Sequence, residues 1–354
     1  MADSLPRIAR QIEFPSPSEV RVAERPVADA APSQLLAQAT RTLISAGTEQ
    51  NLLEGDHRAA GLSEAPDALR PGYSWVGRVL EAGDQTAGFA AGDRIVASLQ
   101  HVSLALIPPD DRPMSRLEVP QLLPDAVSDD AATFVSLADV ALHAVRRAQP
   151  SIGDAVAVFG VGVVGQLIVQ FARMAGAYPV VAVDLDERRL ENALESGATH
   201  TVNAGRDDAV EAIRDVSYGV GARAVFMATR TPHVLPDCIR AADNGGVIAV
   251  TGSAPGAVGI ELQVDLLRRE LTIFGTYQAF YPHEPYHKFQ WPRPRNREYV
   301  IELMARGELR VDHLVSHRVP YAGAAEMYAL IEQGPSGWLA IVLDWTDSSE
   351  GEVT

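Results

Sequence analysis

The stretch Ala155–Asp184 constrains this chain more than any other. It runs AVAVFGVGVVGQLIVQFARMAGAYPVVAVD. Small and β-branched residues, Val156 to Phe159, lead into Gly160-Val161-Gly162-Val163-Val164-Gly165. A helical spacing follows, with Leu167, Ile168 and Phe171 on one face and Gly176 as the stop. A second apolar run, Val180 to Val183, ends on Asp184, 19 residues after the third glycine. Strand, glycine-rich turn, helix, strand and terminal acid stand in the order a dinucleotide site requires. Gly160 permits the tight turn, Gly162 lets backbone approach a pyrophosphate, and Gly165 lets helix and strand pack closely. The helix N-terminus then faces the phosphates. Asp184 is suited to the hydroxyls of an adenosine ribose and repels a 2′-phosphate, so the expected cofactor is NAD rather than NADP. The alternative, glycines serving only a strand–helix turn, leaves that acid unexplained.

Composition narrows the class. A length of 354 residues suits two domains. The formal net charge of −16 argues against nucleic acid or an anionic membrane as partner. No apolar run has membrane-spanning length, and Met1 to Gln11 does not read as a signal peptide, so a cytoplasmic location is expected. The single cysteine, Cys238, excludes an intrachain disulfide and a thiolate-rich metal site, and reads as a buried packing residue. Lys288 is the only lysine, which removes a phosphate-loop lysine. No tyrosine stands four residues before it, so a Tyr-x-x-x-Lys pair is absent.

The rhythm of the chain changes once. Up to about residue 140 it reads as short strands punctuated by proline and glycine, among them Arg10 to Phe14, Leu36 to Ile44, Gly72 to Glu81 and Asp93 to Leu99. A long helix is expected over Asp129 to Arg147. From Asp154 strand and helix alternate. Six strands with intervening helices predict a doubly wound parallel sheet. The tail returns to a mixed pattern, with helices at Arg297 to Arg306 and Ala324 to Glu332 and a strand at Leu339 to Asp344.

A β-rich domain interrupted by a Rossmann domain and then resumed resembles the medium-chain dehydrogenase/reductases. The resemblance extends to motifs over about residues 8 to 345. Ile44-Ser-Ala-Gly-Thr-Glu49 resembles that family's Cys-Gly-Thr-Asp segment, and Pro71-Gly-Tyr-Ser-Trp-Val-Gly-Arg-Val79 its Gly-His-Glu-x-x-Gly-x-Val segment. Gly92-Asp-Arg-Ile-Val96 matches its Gly-Asp-Arg-Val, and Asp139 to Ala144 falls on the helix leading into the Rossmann domain. The pairing of Ser-Ala-Gly-Thr-Glu with Pro-Gly-Tyr-Ser looks like the branch of bacteriochlorophyllide dehydrogenase-like proteins. The resemblance implies an α/β fold: a GroES-like β-rich catalytic domain over residues 1–141 and 279–354, and a Rossmann domain over 142–278. Further cofactor contacts are expected at the ends of the fourth, fifth and sixth Rossmann strands, from Thr229, Thr251, Gly252 and Thr276. The family's zinc ligands would fall on Ala46, Tyr73, Ser74 and Ser136, none of which is Cys, His or carboxylate. With one cysteine the four-cysteine structural zinc lobe is missing too. The expectation is therefore an enzyme without a metal.

Without zinc, polar side chains must handle the reacting oxygen. Thr48 matches the hydroxyl position that contacts that oxygen in the zinc enzymes, and Tyr73 and Ser74 occupy the vacated metal position. Tyr73 either acts chemically or plugs the space. His101 is a general acid/base candidate, or a hydrogen-bonded structural histidine. Glu49 matches a carboxylate behind the metal and either holds a loop or pairs with an arginine. Asp139 can orient a substrate hydroxyl or stand on a solvated helix side, and His143 reads as packing. Tyr277 and Gln278 are expected near nicotinamide or substrate. Arg293, Arg295 and Arg297 either bind an anion or form a solvated loop. His283-Glu-Pro-Tyr-His287 matches H-E-x-x-H literally, but Pro285 opposes the helix that a zinc site on this motif needs.

The leading expectation is an NAD-dependent dehydrogenase acting on a small alcohol or ketone, a cyclitol, sugar or other polyol. Two alternatives stay open: a zinc-free enoyl or quinone reductase, and a non-catalytic NAD-binding protein. A homodimer is expected, because Leu271 to Gly275 makes an apolar edge strand that a two-fold partner can cover.

Overall fold

The computed structural model describes residues 7–57, 66–86, 88–108, 120–277 and 291–346. The chain divides into two compact units. One comprises Met1–Ser136 and Arg297–Thr354; the other is Leu137–Asn296. The junctions fall at 136/137 and 296/297, where the sequence suggests 141/142 and 278/279. Both fall inside helices that carry the chain across.

In the first unit, β1 (Arg7–Glu13) and β2 (Arg21–Val27) form an antiparallel pair. β3 (Leu35–Ile44) is followed at once by helix α1 (Ala46–Leu53), then β4 (Trp75–Ala82), β5 (Arg94–Ala97), β6 (Leu104–Ile107) and β7 (Gln121–Leu122). The expected single helix over Asp129 to Arg147 is two: α2 (Asp129–Ala132), capped by the Ser128 hydroxyl on the Ala131 amide, and α3 (Val135–Ala148). The C-terminal part of this unit adds β14 (Val315–Pro320), α9 (Ala324–Glu332) and β15 (Ala340–Asp344). β14 is a strand that the sequence reading missed. A seven-stranded sheet runs β14-β15-β3-β4-β5-β7, with β6 also on β3. Its interior gathers Ile12, Leu35, Ile44, Leu53, Trp75, Leu343 and Tyr328. Phe14 meets Tyr328 edge to face at 4.9 Å, a favoured aromatic geometry. Burying each such side chain is worth about 1.5–3 kcal/mol.

In the second unit strands and helices alternate: β8 (Val156–Phe159), α4 (Val163–Met174), β9 (Val180–Asp184), α5 (Glu187–Glu195), β10 (His200–Asn203), α6 (Ala209–Val216), β11 (Ala222–Met227), α7 (Leu235–Ala241), β12 (Ala242–Val250) and β13 (Thr272–Gly275). Helix α8 (Arg293–Ala305) leads back to the first unit. The six strands are parallel, in the order β10-β9-β8-β11-β12-β13. All four residues of β8 are buried, as expected of a strand covered on both faces. β8 pairs with both β9 and β11, so strand order reverses there, at the point where such sheets bind nucleotides. Cys238 is buried on α7, where burial pushes its thiol pKa up; it packs rather than reacts. Among the described residues, no helix is long and apolar enough to cross a membrane.

Candidate active site

The candidate nucleotide cradle is built from backbone. Gly160 has φ +87°, and a Cβ there would stand 2.6 Å from Thr229 Cγ2 and 3.0 Å from the Ala228 carbonyl carbon. A Cβ on Gly165 would lie 2.1 Å from the Gly160 oxygen, so α4 can approach β8 only through a glycine. Gly162 differs. Among the described residues, a Cβ there would meet only Arg189 Nη1, at 3.9 Å. The space over Gly162 is thus kept clear without any need of the protein's own packing. Gly162 also caps α4 without a side-chain bond, so the first-turn amides are left for an anion. These features fit a pyrophosphate.

Asp184 closes the cradle. Its Oδ2 accepts from the Val161 amide at 2.8 Å, and its Oδ1 from the Leu185 and Asp186 amides at 2.8 and 3.1 Å. Three backbone donors fix the carboxylate against the glycine turn, while further acceptor capacity remains for ribose hydroxyls. Arg189, on the first turns of α5, brings its guanidinium beside Gly162 and was missed by the sequence reading. Its pKa is lowered by burial, against the pull of Asp184 and Asp186. At the strand ends, Thr276 Oγ1 donates to Thr251 Oγ1 at 3.0 Å, and Thr229 Oγ1 to the Thr231 carbonyl at 2.9 Å. A Cβ on Gly252 would stand 2.1 Å from the Thr229 oxygen, which ties those loops together. Val163 and Val164 begin α4. Tyr277 is exposed, and Gln278 lies outside the described residues.

In the β-rich unit a chain of polar side chains runs through the core. Trp345 Nε1 donates to Thr42 Oγ1 at 2.9 Å, and Thr42 Oγ1 meets His101 Nδ1 at 2.8 Å. His101 Nε2 lies 3.1 Å from Glu49 Oε2. Tyr328 Oη donates to that same oxygen at 2.5 Å, and the Ser45 amide donates to Glu49 Oε1 at 2.8 Å. The Ser45 hydroxyl hydrogen-bonds Tyr73 Oη. His101 and Glu49 are both 0% exposed. A carboxylate only accepts, so the proton between this pair sits on Nε2, which donates to Glu49. Burial, with Glu49 beside it, pushes the Tyr328 phenol well up.

This placement revises several expectations. His101 lies in the interior with both ring nitrogens bonded, so it leaves the set of reacting groups and joins the frame that holds them. Glu49 pairs with that histidine, not with an arginine. Thr48 is half-buried in the first turn of α1, its amide bonded to the Ser45 carbonyl at 3.0 Å. Tyr73 is half-buried, and Ser74 Oγ is buried with no hydrogen-bond partner among the described residues. Asp139 is buried rather than solvated. The arginines at 293, 295 and 297 begin α8 and are no solvated loop: Arg293 and Arg297 are buried, and Arg295 lies over the Trp291 ring at 4.1 Å. Arg297 Nη2 donates to Ser98 Oγ at 2.5 Å. His283 to His287 lie outside the described residues.

A family model described as zinc-binding dehydrogenase matches residues 163–289. Sorbitol dehydrogenase of Bacillus subtilis is 24% identical over 340 residues, covering 89% of this chain and 91% of the relative. An Escherichia coli oxidoreductase/dehydrogenase of unknown specificity superposes with a TM-score of 0.81 at 18% identity, over 96% of this chain and 99% of its own. The 2R,3R-butanediol dehydrogenase of B. subtilis does so at 0.77 and 21%, over 95% and 99%. The chain thus shares its fold with these dehydrogenases and is similar to the zinc-binding dehydrogenase family over residues 163–289.

The zinc that this family description implies does not fit the residues present. Ala46 has no donor atom, the Tyr73 phenol is engaged by Ser45, and the Ser136 hydroxyl lies 3.3 Å from that of Ser98. Among the described residues no group of three or more His, Cys, Asp or Glu side chains could hold a metal. Neutral hydroxyls without thiolate, imidazole or carboxylate do not make a zinc site.

Proposed function

We propose that this chain is a zinc-independent, NAD-dependent oxidoreductase that moves a hydride between a secondary alcohol of polyol type and the nicotinamide. The observation that carries the reading is the cradle: open space over Gly162, an α4 N-terminus without a side-chain cap, and Asp184 fixed against Val161. When bound, nicotinamide supplies or accepts the hydride at its C4 carbon. The chain's own groups do the rest. The first-turn amides of α4 bind the pyrophosphate, and Asp184 accepts from the adenosine ribose. In oxidation Tyr73 Oη takes the alcohol proton, and in reduction it returns one to the carbonyl oxygen. Thr48 and Ser74 supply further hydroxyls to hold that oxygen. The half-buried phenol and the unpartnered Ser74 hydroxyl support this assignment. Relatives named for sorbitol and butanediol support the substrate class.

The test is turnover of sorbitol, 2,3-butanediol and L-threonine with NAD⁺ and NADP⁺, read by nicotinamide absorbance, on protein whose zinc is measured by elemental analysis. Oxidation of an alcohol with NAD⁺ by metal-free protein is expected. Activity confined to quinones or enones with NADPH would replace this reading with a reductase, and NAD binding without any turnover with a non-catalytic protein. β13, at the edge of the parallel sheet, supports a homodimer formed by strand pairing, for which light scattering is the check.

A further inference from the structure

Serine is favoured at a helix N-cap because its hydroxyl can accept from an amide two or three residues on. Ser45 holds that position on α1 and makes no such bond. Its hydroxyl is turned to Tyr73 instead. The rest of Ser45 is clamped, since its amide is held by Glu49 Oε1. The other oxygen of Glu49 is held by Tyr328 and His101. Tyr73 hangs from the same frame. The His101 amide donates to the Pro71 carbonyl at 3.0 Å. Gly72, at φ +104°, passes so close that a Cβ would stand 2.7 Å from the His101 nitrogen. Ser45 is thus held by Glu49, and the segment leading into Tyr73 by the His101 backbone.

We propose that Ser45 is the positioning residue of Tyr73: it donates its hydroxyl hydrogen bond to Tyr73 Oη, leaving the phenol proton for the substrate oxygen. This rests on the acid–base reading of Tyr73 given above. A phenol has one proton, so a Tyr73 that donated to Ser45 would have none to give a substrate. In reduction the hydride adds to the carbonyl carbon. The phenol O–H breaks, its proton forms the alcohol O–H, and the phenolate recovers a proton from water. Oxidation runs the same steps backwards. In either direction the Ser45 donor stabilises the phenolate, so it favours proton loss from Tyr73.

The experiment follows Tyr73 directly, by NMR of the full chain carrying ring-¹³C tyrosine, with Tyr73→Phe identifying its signal. Ser45→Ala is expected to raise the Tyr73 titration by about one pH unit, and Ser45→Thr, which keeps the hydroxyl, to restore it. If Ser45→Ala fails to fold, Ser45→Cys reads the same shift through a weaker donor. With whichever alcohol of the panel above turns over, Ser45→Ala is expected to lower kcat about ten-fold to a hundred-fold at unchanged KM for NAD⁺. The Tyr73 limb of the pH profile should move upward with the NMR titration. In a Tyr73→Phe background the same change should add nothing. An unmoved titration, with Tyr73→Phe inactive, overturns the role of Ser45 alone. Wild-type turnover in Tyr73→Phe overturns the acid–base reading, and the catalytic role of Ser45 with it.

Discussion

The candidate nucleotide cradle and the polar cluster of the β-rich unit are built by opposite means. The cradle is backbone: glycines that remove Cβ atoms, a helix N-terminus, and one carboxylate fixed by three amides. The cluster is side chain: Thr42, Ser45, Glu49, Tyr73, His101, Tyr328 and Trp345, drawn from a strand, loops and two helices up to 303 residues apart. Each is sensitive where the other is tolerant. The cradle depends on what is missing at a few adjacent positions. The cluster depends on every member keeping its partner. Two buried histidines repeat the contrast. His101 faces a carboxylate, whereas His143 on α3 sits beside Arg146 and Arg147.

The largest expected effect is in the cluster. His101→Ala should cost about 3–5 kcal/mol of stability, because it leaves Glu49 buried without its imidazole partner. Urea unfolding measures this, and a loss within ~0.5 kcal/mol would mean the cluster tolerates change as a surface does.

His143 tests the other unit. Burial and the two arginines push its pKa from 6.5 down to about 4. Between those values the unfolded chain binds a proton that the folded chain refuses. Its contribution is therefore full above about pH 6.5 and is lost as pH falls towards about 4, up to ~3 kcal/mol. His143→Leu should flatten the loss of stability across that window. An unchanged slope would assign the acid sensitivity elsewhere.

Gly162→Ala separates the cradle's two uses of glycine. A Cβ at Gly162 meets nothing closer than 3.9 Å among the described residues, so folding should change by less than ~0.5 kcal/mol. NAD affinity should fall about ten-fold or more, because the Cβ enters the pyrophosphate's space; each ten-fold is about 1.4 kcal/mol. Calorimetric titration showing wild-type affinity would remove Gly162 from the cradle. The smallest effect expected is a shift of preference. Asp184→Ser removes the charge that repels a 2′-phosphate and should raise the ratio of NADP⁺ to NAD⁺ use several-fold, read as kcat/KM for each. A wild-type protein that already prefers NADP⁺ would contradict the NAD reading.

The sequence by itself determined the parallel sheet and the cradle, because both are local. Val156 to Phe159 is apolar on both faces, the three glycines stand at their spacing, and Asp184 ends the next strand. Helices Ala209–Val216 and Ala324–Glu332 were likewise legible, to the residue, from periodicity and flanking caps. Tertiary structure decided the rest. Glu49 and His101 are 52 positions apart, and no pattern in either segment says that they meet. Ser45 stands at the N-cap of α1, and only the approach of Tyr73 shows where its hydroxyl goes. β14, with Ser, His and Arg among its six residues, carries no apolar run; it is a strand because β15 pairs with it. Local spacing encodes what the backbone does within one turn or strand. Which buried polar groups satisfy one another is settled only when distant segments are brought to hydrogen-bonding distance and water is removed from between them.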